Sequence, residues 1–223
     1  MSMVRQVFSK RVRLVVVAGM VSAASGCGPE LGAWIYTLNL VPKQKIPAEY
    51  KLPPGPIMVL VDDDRDLIQP PLARTALVDA LATELKAHEL AERVTTNEEL
   101  ARLKQSESKF DQRGARELGQ LAGADTVILL NTQAFSLEED LELMVNPARF
   151  AVTVRVINAK AESRDQVRLW PEESTERDGR LVQIEVKPHE MRSAKKTSEA
   201  HEKMASVLAV KIAELFYDRE LEG

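Results

Sequence analysis

Two uninterrupted apolar runs, Ile57 to Val61 in "PIMVLVDDD" and Val127 to Leu130 in "ADTVILLNTQAF", set the frame for any fold of this chain. A strand with one wet face alternates apolar and polar residues. A continuous run is the pattern of a strand covered on both faces, and such a sheet needs helices above and below it. The segment between the two runs supplies them. Pro70 and Pro71 suit the first turn of a helix, and Leu77, Val78, Leu81 and Leu85 form its apolar stripe. "LAERVTT" follows as a short strand, and Thr96 with Glu99 has the spacing of a capping box for a second helix. A further helix over about 112–122, with Gly114 and Gly119 inside it, stops at Gly123, the residue type that enters the left-handed C-terminal position most easily.

The second half changes character. "RFAVTVRVIN" alternates, with Phe150, Val152, Val154 and Val156 on one face, and "QVRLWP" and "LVQIEV" read as shorter strands of the same kind, which implies antiparallel pairing. A long helix over about 198–217 closes the chain, with Met204, Leu208, Lys211, Ile212 and Leu215 at helical spacing. The expected architecture is α/β (α+β), a single domain over residues 56–220 with a mixed sheet, order β-α-β-α-β-β-β-β-α, and helices packed on the sheet.

Upstream of this domain the composition shifts twice. Residues 27–55 carry Pro29, Pro42, Pro47, Pro53 and Pro54 and read as a proline-rich tether, able to reach about 90 Å if fully extended. Its apolar segment "LGAWIYTLNLVP", with Trp34 and Tyr36, is expected to fold back onto the domain rather than serve as an aromatic foot at a membrane interface. Residues 1–26 begin with Arg5, Lys10, Arg11 and Arg13 and no acid, continue with an apolar run from Leu14 to Ala24, and end in small residues. That is the layout of an export signal, and the run is shorter than the roughly 20 residues of a membrane-spanning helix. The only cysteine of the chain, Cys27, follows directly. One cysteine excludes an internal disulfide framework and a multi-cysteine metal cluster.

Ala24-Ser25-Gly26-Cys27, placed after a basic segment and an apolar run, resembles the signal of bacterial lipoproteins. The resemblance implies a diacylglyceryl group on the Cys27 thiol, cleavage before Cys27, and a location on the cell membrane or outer membrane facing the periplasm. Cleavage there removes four cations and no anion, taking the formal net charge from −4 to −8. So acidic a chain repels nucleic-acid phosphates, so nucleic acid is excluded as a partner. The order of elements from Pro56 to Tyr217, with Gly123-Ala124-Asp125 leading into a strand and "FAVTVRVINAK" pairing with it, resembles the periplasmic domain of curli-secretion lipoproteins and of lipoproteins that activate penicillin-binding proteins. This second resemblance implies an accessory or scaffold factor, not an enzyme, acting on an envelope protein, with a homo-oligomer among the arrangements open to it. A secretion pore is excluded, because "SLEEDLELMVNPA" and "PEESTERDG" are too short and too acidic to make membrane hairpins.

The one group that invites chemistry in the domain is Asp62, Asp63 and Asp64, followed by Arg65 and Asp66, at the carboxyl end of the first strand. Ligands of open α/β sheets bind at such ends. In an extended chain Asp62 and Asp64 share a face and offer oxygen ligands to a divalent cation. The plain alternative is a solvated loop. His88, His189 and His201 lack metal-ligand spacing and read as surface residues, and no G-x-S-x-G turn or phosphate loop is present. No cofactor is implied. The charge runs "EEDLE", "EESTERD" and "KPHEMRSAKK" read as solvated surface, the last also as a basic docking patch.

Overall fold

The computed structural model describes residues 45–69, 71–138, 141, 145–191, 194 and 196–220. The signal, Cys27 and the "LGAWIYTLNLVP" segment lie outside the described residues, as do Pro70, Arg192 and Lys195.

Strand β1, Pro56–Asp62, buries Ile57, Met58 and Val59 completely, on alternate faces, as a strand covered on both sides must. Helix α1, Leu72–Ala87, follows and inserts Leu77, Val78, Leu81 and Leu85 into the core. The chain returns as the two-residue strand β2, Arg93–Val94, parallel to β1. Helix α2, Asn97–Ser106, opens with the expected capping box: Thr96 accepts the Glu99 N–H, and the Glu99 carboxylate accepts the Thr96 N–H. Gly114 is not in the next helix but stands at its N-terminal boundary, and helix α3 is only Ala115–Leu121. α3 ends as a Schellman motif: Gly123 takes φ +66°, its N–H reaches the Gln120 carbonyl, and the Ala124 N–H reaches the Gly119 carbonyl.

Strand β3, Thr126–Ser136, lies parallel to β1, with Ile57 opposite Thr126 and Asp62 opposite Asn131. It turns into β4, Ala148–Asn158, by antiparallel pairing, with a register shift between Thr132 and Ala134. The far side of β4 is shared by β5, Arg168–Trp170, and β6, Arg180–Val186, both antiparallel to it. The strand order is therefore β2-β1-β3-β4, with β5 and β6 side by side along the last strand. Helix α4, Pro188–Met191, buries Met191, and helix α5, Thr197–Ala213, completes the domain.

Two cores result, one per sheet face. α1 and α5 pack on each other and on Ile57, Val59, Ile128, Leu130, Phe150, Val152 and Val154. Ala200, Ala205, Ala209 and Ala213 of α5 are buried there, and these small residues let the helix axes approach closely. On the opposite face Leu118 of α3 covers Met58, Val127, Leu129 and Ile157. The architecture is the mixed sheet with packed helices that the sequence implies.

Two further details differ from the sequence reading. His201 is buried, not on the surface: it bonds the Thr197 carbonyl through Nδ1 and stacks on Phe135, so its ring fills core space. Lys211 leaves the apolar stripe of α5 and pairs with Glu214 in solvent. The end of the proline-rich stretch lies against the domain: the Glu49 and Tyr50 N–H groups donate to the Leu215 carbonyl, Tyr50 stacks on Trp170, and Leu52 packs on the main core. Gly55 at φ +129° lets the chain pass Asp125, whose carboxylate stands where a Cβ would project.

Candidate functional site

α1 leaves β1 toward one sheet face, while α3 leads into β3 across the other. β1 ends at Asp62, still paired with Asn131, while β3 runs on to Ser136, and the crevice beyond the carboxyl ends of parallel strands is the usual seat of a ligand in open α/β sheets. Here the crevice is a cleft of about 410 Å3 lined by Asp62, Asp64, Arg65, Asn131, Gln133 and Arg155, among others.

The three aspartates have separate fates. Asp62 faces the cleft and accepts Asn131 Nδ2 at 2.8 Å; Asn131 in turn accepts Arg155 Nη2 on its Oδ1 at 2.7 Å. A polar row thus runs across three strands. Burial, then the hydrogen bond and charge of Asp64, push the Asp62 carboxyl above its ordinary pKa, against the smaller pull of Asn131 and Arg155. Asp64 is exposed on the rim. Asp63 turns away with its side chain 1% exposed, accepting the Leu67 and Ile68 N–H groups at 3.0 and 2.9 Å and pairing with Arg74 at 3.0 Å. Burial alone would raise its pKa, but those donors outweigh it and hold the carboxyl below its ordinary value. Asp63 is thus the anchor of the strand-to-helix loop, its oxygens already filled. Arg65 closes the cleft by donating to the Thr132 and Gln133 carbonyls.

The structure thus brings Asp62 and Asp64 to one cleft and keeps Asp63 out of it. Among the described residues no three His, Cys, Asp or Glu side chains are grouped to hold a metal ion. His88 is exposed and stacks on Tyr217, and His189 is exposed; neither reaches the cleft. Asn131 and Arg155 were not singled out from the sequence. Their signal is there in the strands themselves: "VILLNTQ" turns polar at Asn131 and Gln133, and Thr153 and Arg155 fill the polar phase of "AVTVRVIN".

No protein-family model and no curated protein matches the chain. Among solved structures it is similar to a PelC dodecamer from Paraburkholderia phytofirmans, at 11% identity and TM-score 0.42, over 78% of this chain and 97% of that one. It is similar to lipoprotein GNA1162 from Neisseria meningitidis at 12% identity and TM-score 0.36, over 60% of this chain and 81% of that one. The hypothetical protein CT253 from Chlamydia trachomatis gives 11% identity and TM-score 0.39, over 71% and 96%. Likeness this distant transfers neither a ligand nor an assembly.

Proposed function

We propose that this chain is a lipid-anchored envelope protein whose domain acts by binding other proteins rather than by catalysis. The observation that carries the reading is the sequence order of basic segment, short apolar run and Ala24-Ser25-Gly26-Cys27, with Cys27 the only thiol in the chain. Among the described residues no helix is long and apolar enough to cross a membrane, so in this reading attachment comes from acyl chains at Cys27. Two or more chains anchor stably, at about 0.8 kcal/mol per buried CH2. The role is then positional: anchoring raises the effective concentration of the domain near a membrane partner, and the segment after Cys27 sets its reach.

Growth with a fatty-acid analogue tests the anchor. The wild-type chain takes up label and sediments with membranes, whereas Cys27→Ala does neither; equal labelling of the two sinks the proposal. Crosslinked capture from detergent-solubilised membranes then identifies the protein partner, and recovery of the chain with no other envelope protein counts against the scaffold role.

A second reading, a small-ligand site, is favoured by the placement of Asp62 and Asp64 at the cleft by the carboxyl end of β1. Titration with Mg2+ or Ca2+ raises the thermal midpoint in this reading, and Asp62→Asn with Asp64→Asn removes the rise.

A further inference from the structure

Beside the aspartate cleft, on the sheet face that α3 covers only in part, lies a larger cleft of about 830 Å3. Five arginines line it: Arg116 from α3, Arg155 from β4, Arg164 from the segment leading to β5, Arg168 from β5 itself, and Arg177 from the turn before β6. Several other arginines of the domain are neutralised, as in Arg74 with Asp63, Arg113 with Glu107, and Arg180 with Glu49. None of the five makes an ion pair among the described residues, although Glu173 and Asp178 stand at the same cleft. A third acid there, Glu117, is held by Arg113.

The donors are only partly spent. Each guanidinium carries five N–H groups. Arg155 uses one on Asn131, and its Nε is buried without a partner. Arg116 reaches only the Ala161 carbonyl, at 3.4 Å. Arg168 spends three, on the carbonyls of Pro171, Arg177 and Glu176, so it fixes the turn that carries Arg177. Arg164 and Arg177 are exposed and have no side-chain partner among the described residues. Burial and the charge of Arg155 act against the charged form of Arg168, while the weaker pulls of Glu173, Asp178 and Glu176 act for it. Five arginines against Glu173 and Asp178 leave the cleft with an excess of positive charge, although the chain's formal net charge is −4, and a bound anion offsets that excess.

The geometry points to a binding site for a phosphorylated small molecule, held through its phosphate oxygens by Arg155 at the floor and by Arg116, Arg164 and Arg177 around it. A phosphate brings close to two charges and three strong acceptors, matching several guanidinium groups on different elements. A lone carboxylate brings one charge and takes a single planar fork. The volume falls in the range of small-molecule sites.

Inorganic pyrophosphate is the probe, titrated by calorimetry into the full chain in detergent with ionic strength matched by NaCl. Arg155 and Arg168 are tied into the fold, so the test uses the exposed pair. Pyrophosphate binds saturably to wild type, and Arg164→Gln with Arg177→Gln weakens it at least about tenfold, the loss expected for charge-assisted bonds. Arg102→Gln, on exposed α2, leaves it unchanged. Citrate binds several-fold more weakly than pyrophosphate. Absence of saturable binding, binding untouched by the double substitution, or citrate equal to pyrophosphate overturns the assignment.

Discussion

Asp63→Asn separates an anchoring aspartate from its neighbours. Its carboxylate accepts two backbone N–H groups and an arginine, at 2.9 to 3.0 Å, from a side chain only 1% exposed. Asparagine keeps the shape but has one acceptor oxygen, so its amide nitrogen must face donors. Hydrogen bonds to charged groups contribute roughly 1.5–3 kcal/mol each. Arg74 is 35% exposed and regains water when released, which discounts its share. The expected loss is about 2–4 kcal/mol. In urea unfolding of the full chain in detergent at pH 7, with a slope of about 2–3 kcal/mol/M, the midpoint falls by about 1 M. Asp62→Asn, whose carboxyl is pushed up by burial and by Asp64, changes stability by no more than about 0.5 kcal/mol or raises it. The pH dependence has a definite sign. Asp63 has a depressed folded pKa, so its stabilisation is full above the unfolded value of about 3.9 and is lost as pH falls through the folded value. The gap between wild type and Asp63→Asn therefore closes in acid. A loss below 0.5 kcal/mol at pH 7, or a larger loss for Asp62→Asn, refutes the division of roles.

Gly119→Ala replaces a helical glycine and would gain about 1 kcal/mol from propensity alone. Its new Cβ would stand 2.5 Å from Val127 Cγ2 and 2.9 Å from the Ala159 Cβ, so overpacking wins and thermal melting shows a net loss of about 1–2 kcal/mol; a stabilised variant contradicts the packing of α3 on the sheet. Thr96→Ala removes half of the capping box and costs about 1 kcal/mol. Glu99, held below its ordinary pKa first by the backbone N–H of position 96 and then by Arg93, keeps both donors in this variant and still titrates below an ordinary glutamate, as NMR of its side-chain carboxyl can check.

Local chemistry was readable wherever one residue type settles the backbone. Thr96 with Glu99 specifies a capping box, and Gly123 specifies the end of α3, because few other side chains suit those positions. The apolar runs through Met58 and Leu129 required helices on both faces, and both faces are covered. Relations across the sheet were not readable. Asp62, Asn131 and Arg155 are 24 to 69 residues apart along the pairs that bond, and only the strand order makes them one row. The five arginines sit in segments that read separately, Arg116 in a helix, Arg155 and Arg168 in strands, and Arg177 in the charge run "EESTERD", where Glu176 is in fact half-buried and pairs with Arg180. Asp63 and Asp62 look alike in sequence; the turn toward Leu67 and Ile68 is what sends one into the fold and leaves the other at the cleft. His201 was misread because polarity was taken for exposure, whereas a helix face that meets Phe135 accepts a ring whose one nitrogen is satisfied by Thr197.

The central claim is the anchor at Cys27, and the mass of the amino-terminal peptide of the chain purified from membranes tests it most directly. The account predicts a peptide that begins at Cys27 and carries a diacylglyceryl group on the thiol. A peptide with an unmodified Cys27, or one that begins at any other residue, contradicts it.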